Sequence, residues 1–403
     1  MAAFIVLMIL LAAMVKSAQF PFTTWLPRAM EGPTSSSAIF YGSLSVHIGV
    51  FLLLRTWPFW QDMLWIKIVI IVIGALTGII ATLIARVQPT VKTQIAYSSA
   101  AQIGIIFIEV ALGFHILALV HFAGNAFLRT YQLLVSPSVL NYLVHHQYFH
   151  YHPPQYKPVS KIRTAVYMLG IKEWNLDTMM YKYLWSPFKW IGGQVHFLRS
   201  GTVTLLMAVT GIAFLAAAIY KPDFIVENGN SFAIASITIA LALVLFSFAY
   251  RGSALQAWIN LLLAHVFILS GIWMNAGHIN TIEIVFYASG ILAAFVLGYF
   301  CLQKMRSIDN DIALDKYHGY VYEQKTTSLL FLIAATGILG FPVTAAFIGV
   351  DVLFTYVHGN QAVLMALLTL CFIFIELAAI RIYCRIFLGL HKKLDHPVAF
   401  RSS

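Results

Sequence analysis

His121, Asn125 and Arg129 stand at successive four-residue steps in an otherwise apolar run. At 3.6 residues per turn this spacing keeps the three side chains in one stripe that drifts by only about 40° per step. Histidine gives and takes a proton near neutral pH through either ring nitrogen; asparagine both donates and accepts, and arginine brings a fixed charge. On a membrane helix such a stripe faces inward, because its exposure to lipid is costly. It serves either a proton or water path or a static hydrogen-bond cluster between helices. His115 sits farther round the same helix, toward its end.

A second group lies near the start. Lys16 closes a mostly apolar run, and Gln19, Pro21 and Glu31 follow it. Proline removes a helical hydrogen bond and clashes with the preceding turn, so the pattern predicts a broken helix at Pro21. Broken membrane helices expose backbone groups that protein or water must satisfy, and they are tolerated where they line a hydrated cavity. An amine placed there holds or releases its proton according to the charge beside it, which makes Lys16 a candidate ion-translocating group. The plain alternative is a lysine that snorkels to the interface.

His47 lies in the middle of the run 35–55, with Ser43 and Ser45 close by, and is either a relay or a satisfied core histidine. Lys92 and Glu109 stand near the ends of a neighbouring run and carry less weight. The second half of the chain offers His265, Glu283, Asp351, Glu376 and Arg381. Glu376, within Cys-Phe-Ile-Phe-Ile-Glu-Leu, is the expected buried carboxylate. Arg381 lies about 140° round the helix from it, so the two do not pair; Arg381 and Arg385 are expected to snorkel. His145, His146, His150 and His152 include the helical pair His146/His150, but no carboxylate or cysteine stands nearby and Pro153-Pro154 ends any helix. We read them as an interfacial loop, with no metal site. Cys301, Cys371 and Cys384 lack paired spacing and read as small core residues.

These residues need elements to hold them. At 60% hydrophobic, 10% charged and mean hydropathy +0.83, the 403-residue chain is too apolar for a soluble globular protein. Apolar windows of membrane length recur about eleven times: 1–19, 35–55, 65–87, 93–113, 114–135, 202–220, 231–250, 254–275, 281–303, 327–350 and 361–389. No alternating strand pattern is present. The fold class is therefore all-α, a polytopic membrane helix bundle with broken helices. We divide it into a helical block 1–135, a basic, aromatic loop with an interfacial helix 136–200, a second block 201–303, a solvated charged loop 304–326, and terminal helices with a short tail 327–403. The opening Met-Ala-Ala-Phe-Ile lacks a signal peptide's basic start and cleavage site, so the first helix is expected to remain as a span.

The net charge of +10 is explained by loops and helix ends facing lipid headgroups, and implies no nucleic acid. The basic stretch 136–200 is expected on the cytoplasmic side. No nucleotide loop, serine elbow or haem motif occurs, so no cofactor and no catalytic centre of its own are expected.

The stretch Lys16-Ser-Ala-Gln-Phe-Pro and Thr24-Trp-Leu-Pro-Arg-Ala-Met-Glu-Gly-Pro-Thr34 resembles the signature of the antiporter-like membrane subunits of respiratory complex I, especially subunit L. Mrp-type cation/proton antiporters and DAB-type inorganic-carbon transporters share it. Lys92-Thr-Gln-Ile-Ala-Tyr-Ser-Ser-Ala-Ala-Gln-Ile-Gly104 resembles the following family segment, and Gly340-Phe-Pro-Val-Thr-Ala-Ala-Phe-Ile-Gly349, with Pro342, a later broken helix. The resemblance covers 1–135 well and 327–389 more loosely. Together with the polar residues above, it points to proton, or alternatively sodium, translocation along Lys16, His47, His121, Asn125 and Arg129, with Asp351 and Glu376 in a second polar area and Glu31, Tyr41, Lys92 and His265 in support.

Departures are specific. Tyr41 stands where the family has a relay histidine, Asn125 and Arg129 where histidine and lysine are usual, and Val350 where a lysine precedes the matching Asp351. The helices that precede the lysine in the family, one with a glutamate that pairs with it, have no counterpart here. The resemblance thus implies a partner membrane chain that brings this half and its carboxylate. Leu128-Arg-Thr-Tyr-Gln132, Ser136-Pro-Ser-Val-Leu140 and the region 136–326 look unlike complex I and closer to subunits paired with a large soluble zinc carbonic-anhydrase-like protein. The function implied is the energy-coupling subunit of a DAB-type inorganic-carbon uptake system in a bacterial inner membrane. The alternatives are a subunit L-like proton pump, an Mrp-like antiporter, and a degenerate, non-conducting scaffold. A quinone-linked enzyme subunit would need redox-centre ligands, which the sequence does not offer.

Overall fold

The structure is a computed structural model and describes residues 2–149, 160–276, 280–309, 311–342 and 344–389. His150, His152, Pro153 and Pro154 lie outside the described residues. The chain forms two compact units, Met1–Leu184 and Trp185–Ser403. Among the described residues, eight helices are long and apolar enough to cross a membrane, and Ala3–Lys16, Lys325–Ile338 and Ala345–Thr355 are shorter apolar helices. The protein is an all-α integral membrane protein.

In the first unit, α1 (Ala2–Lys16) ends at the lysine, and the chain stays largely non-helical until the short helix Trp25–Ala29. Pro21 lies in this break. Side chains of neighbouring helices and of the break itself satisfy several of its polar groups, while Gln19 Oε1 and Thr23 Oγ1 are buried without a partner among the described residues. Phe20 N donates to Thr77 Oγ1 at 2.9 Å, Gln19 Nε2 donates to Ser17 O at 2.9 Å and Ala100 O at 3.3 Å, and Trp25 Nε1 donates to Val15 O at 2.9 Å. Broken backbone inside a membrane protein persists only with such partners.

The span α2 (Thr34–Trp60) is irregular at its centre: a π-helical stretch Ala38–Leu44 and a 3₁₀ turn Ser45–His47 precede the regular Ile48–Trp60. Such bulges turn one side chain out of the helical repeat and frequently mark functional sites. Here the altered turn carries His47. A Cβ added at Gly49 would lie 2.3 Å from Ala13 O, so α1 and α2 touch backbone to backbone. The helices α3 (Leu64–Ala85) and α4 (Val91–Ala111) pack the same way, through Gly74 and Gly104. The long α5 (His115–Phe149) continues past Pro137 to Phe149, beyond the expected end of its span at 135. Helices Lys161–Ile171 and Leu176–Met180 complete the unit.

The second unit opens with the short helix Ser186–Gln194 and contains α6 (Gly201–Tyr220), α7 (Gly229–Ala249), α8 (Ala254–Asn275), α9 (Thr281–Asp309), α10 (Lys325–Ile338), α11 (Ala345–Thr355) and α12 (Ala362–Ile386). Both α8 and α12 pack against α7. Leu205, Leu206, Val209 and Ile212 of α6 are exposed, as lipid-facing residues are. The apolar window 327–350, with a break expected at Pro342, is two helices. Between them Gly340 adopts φ +65, a conformation that a residue with a Cβ rarely takes, and Pro342 follows.

The charged loop also differs from expectation. Leu314, His318 and Tyr320 are buried, because the backbone pairs with two helix ends: Leu314 N donates to Arg251 O at 2.7 Å and His318 N to Arg385 O at 2.9 Å. Tethered backbone on both sides pulls the intervening side chains onto the unit, although Asp315 remains exposed.

Candidate functional site

The turn Leu112–Phe114 folds α5 back along α4, so that polar faces of the two helices meet. On α5, His121, Asn125 and Arg129 form the stripe. On α4, Ser98, Gln102 and Glu109 lie within about 40° of one another round the helix. His121 joins the two faces: its Nδ1 lies 2.8 Å from Glu109 Oε1 and its Nε2 3.0 Å from Gln102 Oε1. Both ring nitrogens thus face side-chain oxygens. Rotation of the Gln102 amide by 180° presents a donor instead and accommodates the ring after one proton leaves. One half-buried amide flip therefore matches one proton transfer.

Farther along α5, Arg129 is buried and fully engaged. Its Nε donates to Asn125 Oδ1 at 3.1 Å, Nη1 to Gln132 Oε1 at 2.7 Å and Nη2 to Ser98 O at 3.2 Å. Asn125 Nδ2 donates in turn to His47 Nε2 at 3.0 Å. His47 is wholly buried, with its ring edge-on to Phe122 at 4.9 Å between centroids. The groups form two short chains, Glu109–His121–Gln102 and His47–Asn125–Arg129, on adjacent turns of α5.

The other sequence candidates fall elsewhere. Lys16 is exposed and makes no hydrogen bond or ion pair with any described residue. Lys92 Nζ donates to Gly32 O at 2.8 Å, and together with Glu31, Arg28 and Glu173 it lines an open cavity of about 440 Å³. Arg28 pairs with Asp177, which follows three consecutive left-handed residues, Glu173, Trp174 and Asn175. Tyr41 stands edge-on to Trp25 at 6.2 Å, and His115 edge-on to Trp57 at 4.5 Å.

In the second unit His265 Nδ1 lies 2.8 Å from the Tyr287 hydroxyl, both side chains buried. Glu283 accepts a hydrogen bond from the Tyr356 hydroxyl, and Pro342 is exposed at the break. Two expectations require correction. Glu376 is exposed rather than buried, as is Asp351. Arg381 does not snorkel: it turns inward and donates to the carbonyls of Phe248, Ser247 and Tyr250, since the uncapped end of α7 offers acceptors that lipid cannot.

Sequence reasoning gave Glu109 little weight and passed over Ser98, Gln102 and Gln132. The spacing of Ser98, Gln102 and Glu109 along one face of α4 was the available signal.

Residues 1–171 match the family model described as NADH:quinone oxidoreductase/Mrp antiporter, TM. The chain is 36% identical over 140 residues to NADH-quinone oxidoreductase subunit L of Rhodobacter capsulatus, covering 35% of this chain and 20% of the relative. It is 37% identical over 139 residues to NADH-ubiquinone oxidoreductase chain 5 of Balaenoptera physalus, covering 34% and 23%. It is 37% identical over 134 residues to the chloroplastic NAD(P)H-quinone oxidoreductase subunit 5 of Zea mays, covering 33% and 18%. The matched part is thus about a fifth of the length of these three relatives.

Proposed function

From the match of residues 1–171 to the family model of complex I and Mrp antiporter membrane subunits, we propose that this chain translocates protons as one subunit of a larger membrane complex. The observation that carries the reading is His121, seated between Glu109 and Gln102 at the junction of two membrane helices. A histidine in that seat takes a proton from one side and passes it to the other, and the flanking carboxylate steadies the charged ring.

Arg129 does not release its proton under physiological conditions, so its role is that of a fixed positive charge. It holds Asn125, and Asn125 holds His47, so the arginine sets the orientation of a second titratable ring. An amide and a guanidinium do not relay protons readily. Transfer between His47 and His121 therefore runs through water rather than through Asn125. Lys16, open on the surface of its unit, awaits a carboxylate from a partner membrane chain.

The test is proton uptake into proteoliposomes that hold the whole complex. Lys16→Ala is expected to abolish ion-driven activity with assembly intact; full activity in that variant refutes the reading. A second reading, a scaffold that has lost conduction, is favoured by Asn125 and Arg129 in place of the usual histidine and lysine. It requires that no flux depend on His47, His121 or Glu109.

The finer assignment is to the energy-coupling subunit of an inorganic-carbon uptake system in a bacterial inner membrane. It rests on the sequence reading that residues 136–326 look unlike complex I, of which the part beyond residue 171 lies outside the family match. Copurification with a zinc-bearing soluble subunit supports it, and copurification with hydrophilic redox subunits or small Mrp-type subunits overturns it.

A further inference from the structure

At the end of α7 the second unit holds more positive charge than its fold uses. Arg381 already caps the helix through the carbonyls of Ser247, Phe248 and Tyr250. Immediately beyond lies a cavity of about 190 Å³, walled by Gly192, Gly193 and Phe246 and faced by Arg199, Arg251 and Tyr250. No acidic residue lines it, and among the described residues neither Arg199 nor Arg251 forms an ion pair. The acids of the loop that pairs with Arg251 are otherwise placed. Asp311 is bound to Lys316, Asp309 accepts from the Tyr320 hydroxyl, and Asp315 is exposed and does not line the cavity. Because Arg381 satisfies the helix end, the helix dipole does not account for two further guanidinium groups.

The depth of the cavity points to its ligand. Gly192 of the helix Ser186–Gln194 lies against α7 so closely that a Cβ there would come within 2.4 Å of Leu245 O, while Trp190 and Ile191 of the same helix are exposed. An exposed tryptophan beside lysine on a short helix packed against the end of a spanning helix marks the headgroup region. The volume suits a phosphate and a few waters, each water occupying about 30 Å³, and is smaller than the roughly 300 Å³ or more of ordinary cofactor sites.

We propose that Arg199, Arg251 and the Tyr250 hydroxyl form a binding site for a phosphate group, and that an anionic lipid headgroup supplies it. Guanidinium groups match phosphate oxygens with paired hydrogen bonds, and the phenol adds a third donor. The phosphate neutralises the charge left uncompensated at this end of the unit.

The experiment uses the full chain purified in detergent and offered phosphatidylglycerol or phosphatidylcholine, with bound lipid counted by native mass spectrometry. A parallel arm titrates inorganic phosphate and follows thermal melting. Retention of phosphatidylglycerol at least tenfold over phosphatidylcholine, lost in R199Q/R251Q and partly kept in R199K/R251K, is the expected result. Both arginines are exposed, so the variants should melt like the parent in phosphatidylcholine. Equal retention of phosphatidylglycerol by parent and R199Q/R251Q overturns the site. Stabilisation by inorganic phosphate without lipid preference overturns the lipid as its source.

Discussion

Replacing His121 by glutamine separates a proton carrier from a structural hydrogen-bonding group. Glutamine has no titratable proton near neutral pH, yet it donates and accepts over much the same reach. It can keep contact with both Glu109 and Gln102, so the fold should lose less than about 1 kcal/mol. Alanine, in contrast, removes both hydrogen bonds, of 2.8 and 3.0 Å. The Glu109 side chain is only 14% exposed and its Oε2 already lacks a partner among the described residues. Stranding its other oxygen and that of Gln102 costs about 1–3 kcal/mol for each, or roughly 2–6 kcal/mol together. For transport the order differs. A positioned acid–base group contributes about 10²–10⁴ in rate, so both variants should lose at least about 100-fold in flux. The assay is quenching of a pH-sensitive dye in proteoliposomes, normalised to folded complex, beside thermal melting of the same preparations. Flux in His121→Gln within about twofold of the parent would refute the carrier role and leave a static cluster.

Helix packing predicts a contrast between two glycines one turn apart in their contacts. Gly104→Val brings a Cβ within 2.6 Å of Gly74 O and should cost about 1–3 kcal/mol, whereas Gly78→Ala meets nothing nearer than 3.9 Å and should leave melting unchanged or raise it. Arg381→Ala uncovers three carbonyls at the end of α7 and should destabilise the second unit by about 2–4 kcal/mol, with Glu376→Gln, at an exposed position, within about 0.5 kcal/mol; denaturant titration distinguishes them. In the surface loop, the hydrogen bond from Lys316 holds the Asp311 carboxyl below its ordinary 3.8. Its stabilising effect is therefore complete above that value and fades as pH falls through the depressed one. Amide exchange at Ala313, whose N–H donates to Asp311 Oδ1 at 3.0 Å, should lose protection only below about pH 4 after correction for intrinsic rate, and Lys316→Ala should move that onset upward.

The helical class and the stripe on α5 were legible in the sequence, because both are short-range. Composition decides whether a segment lies in lipid or water, and a four-residue step decides which side chains share a face. The breaks near Pro21 and Pro342 belong to the same class of local signal, since a proline disrupts the turn that contains it. The end of α5 was less legible: Pro137 sits inside the helix, which runs on to Phe149.

Which face meets which neighbour was decided only by the tertiary structure. A helix that is apolar nearly all round gives no signal for the side that turns toward protein. Glu376 and Arg381 share α12, yet one is exposed and the other reaches carbonyls of α7, a difference set by the helix packed alongside. Glu109 gained its importance in the same way, from the fold-back at Leu112–Phe114 that brought it to His121. The sequence by itself determined a membrane helix bundle with polar groups held inside it. The packing of α4 on α5 turned one histidine of that set into a seat between a carboxylate and an amide, because hydrogen bonds depend on angstrom-scale distances between helices and spacing along one helix does not specify them.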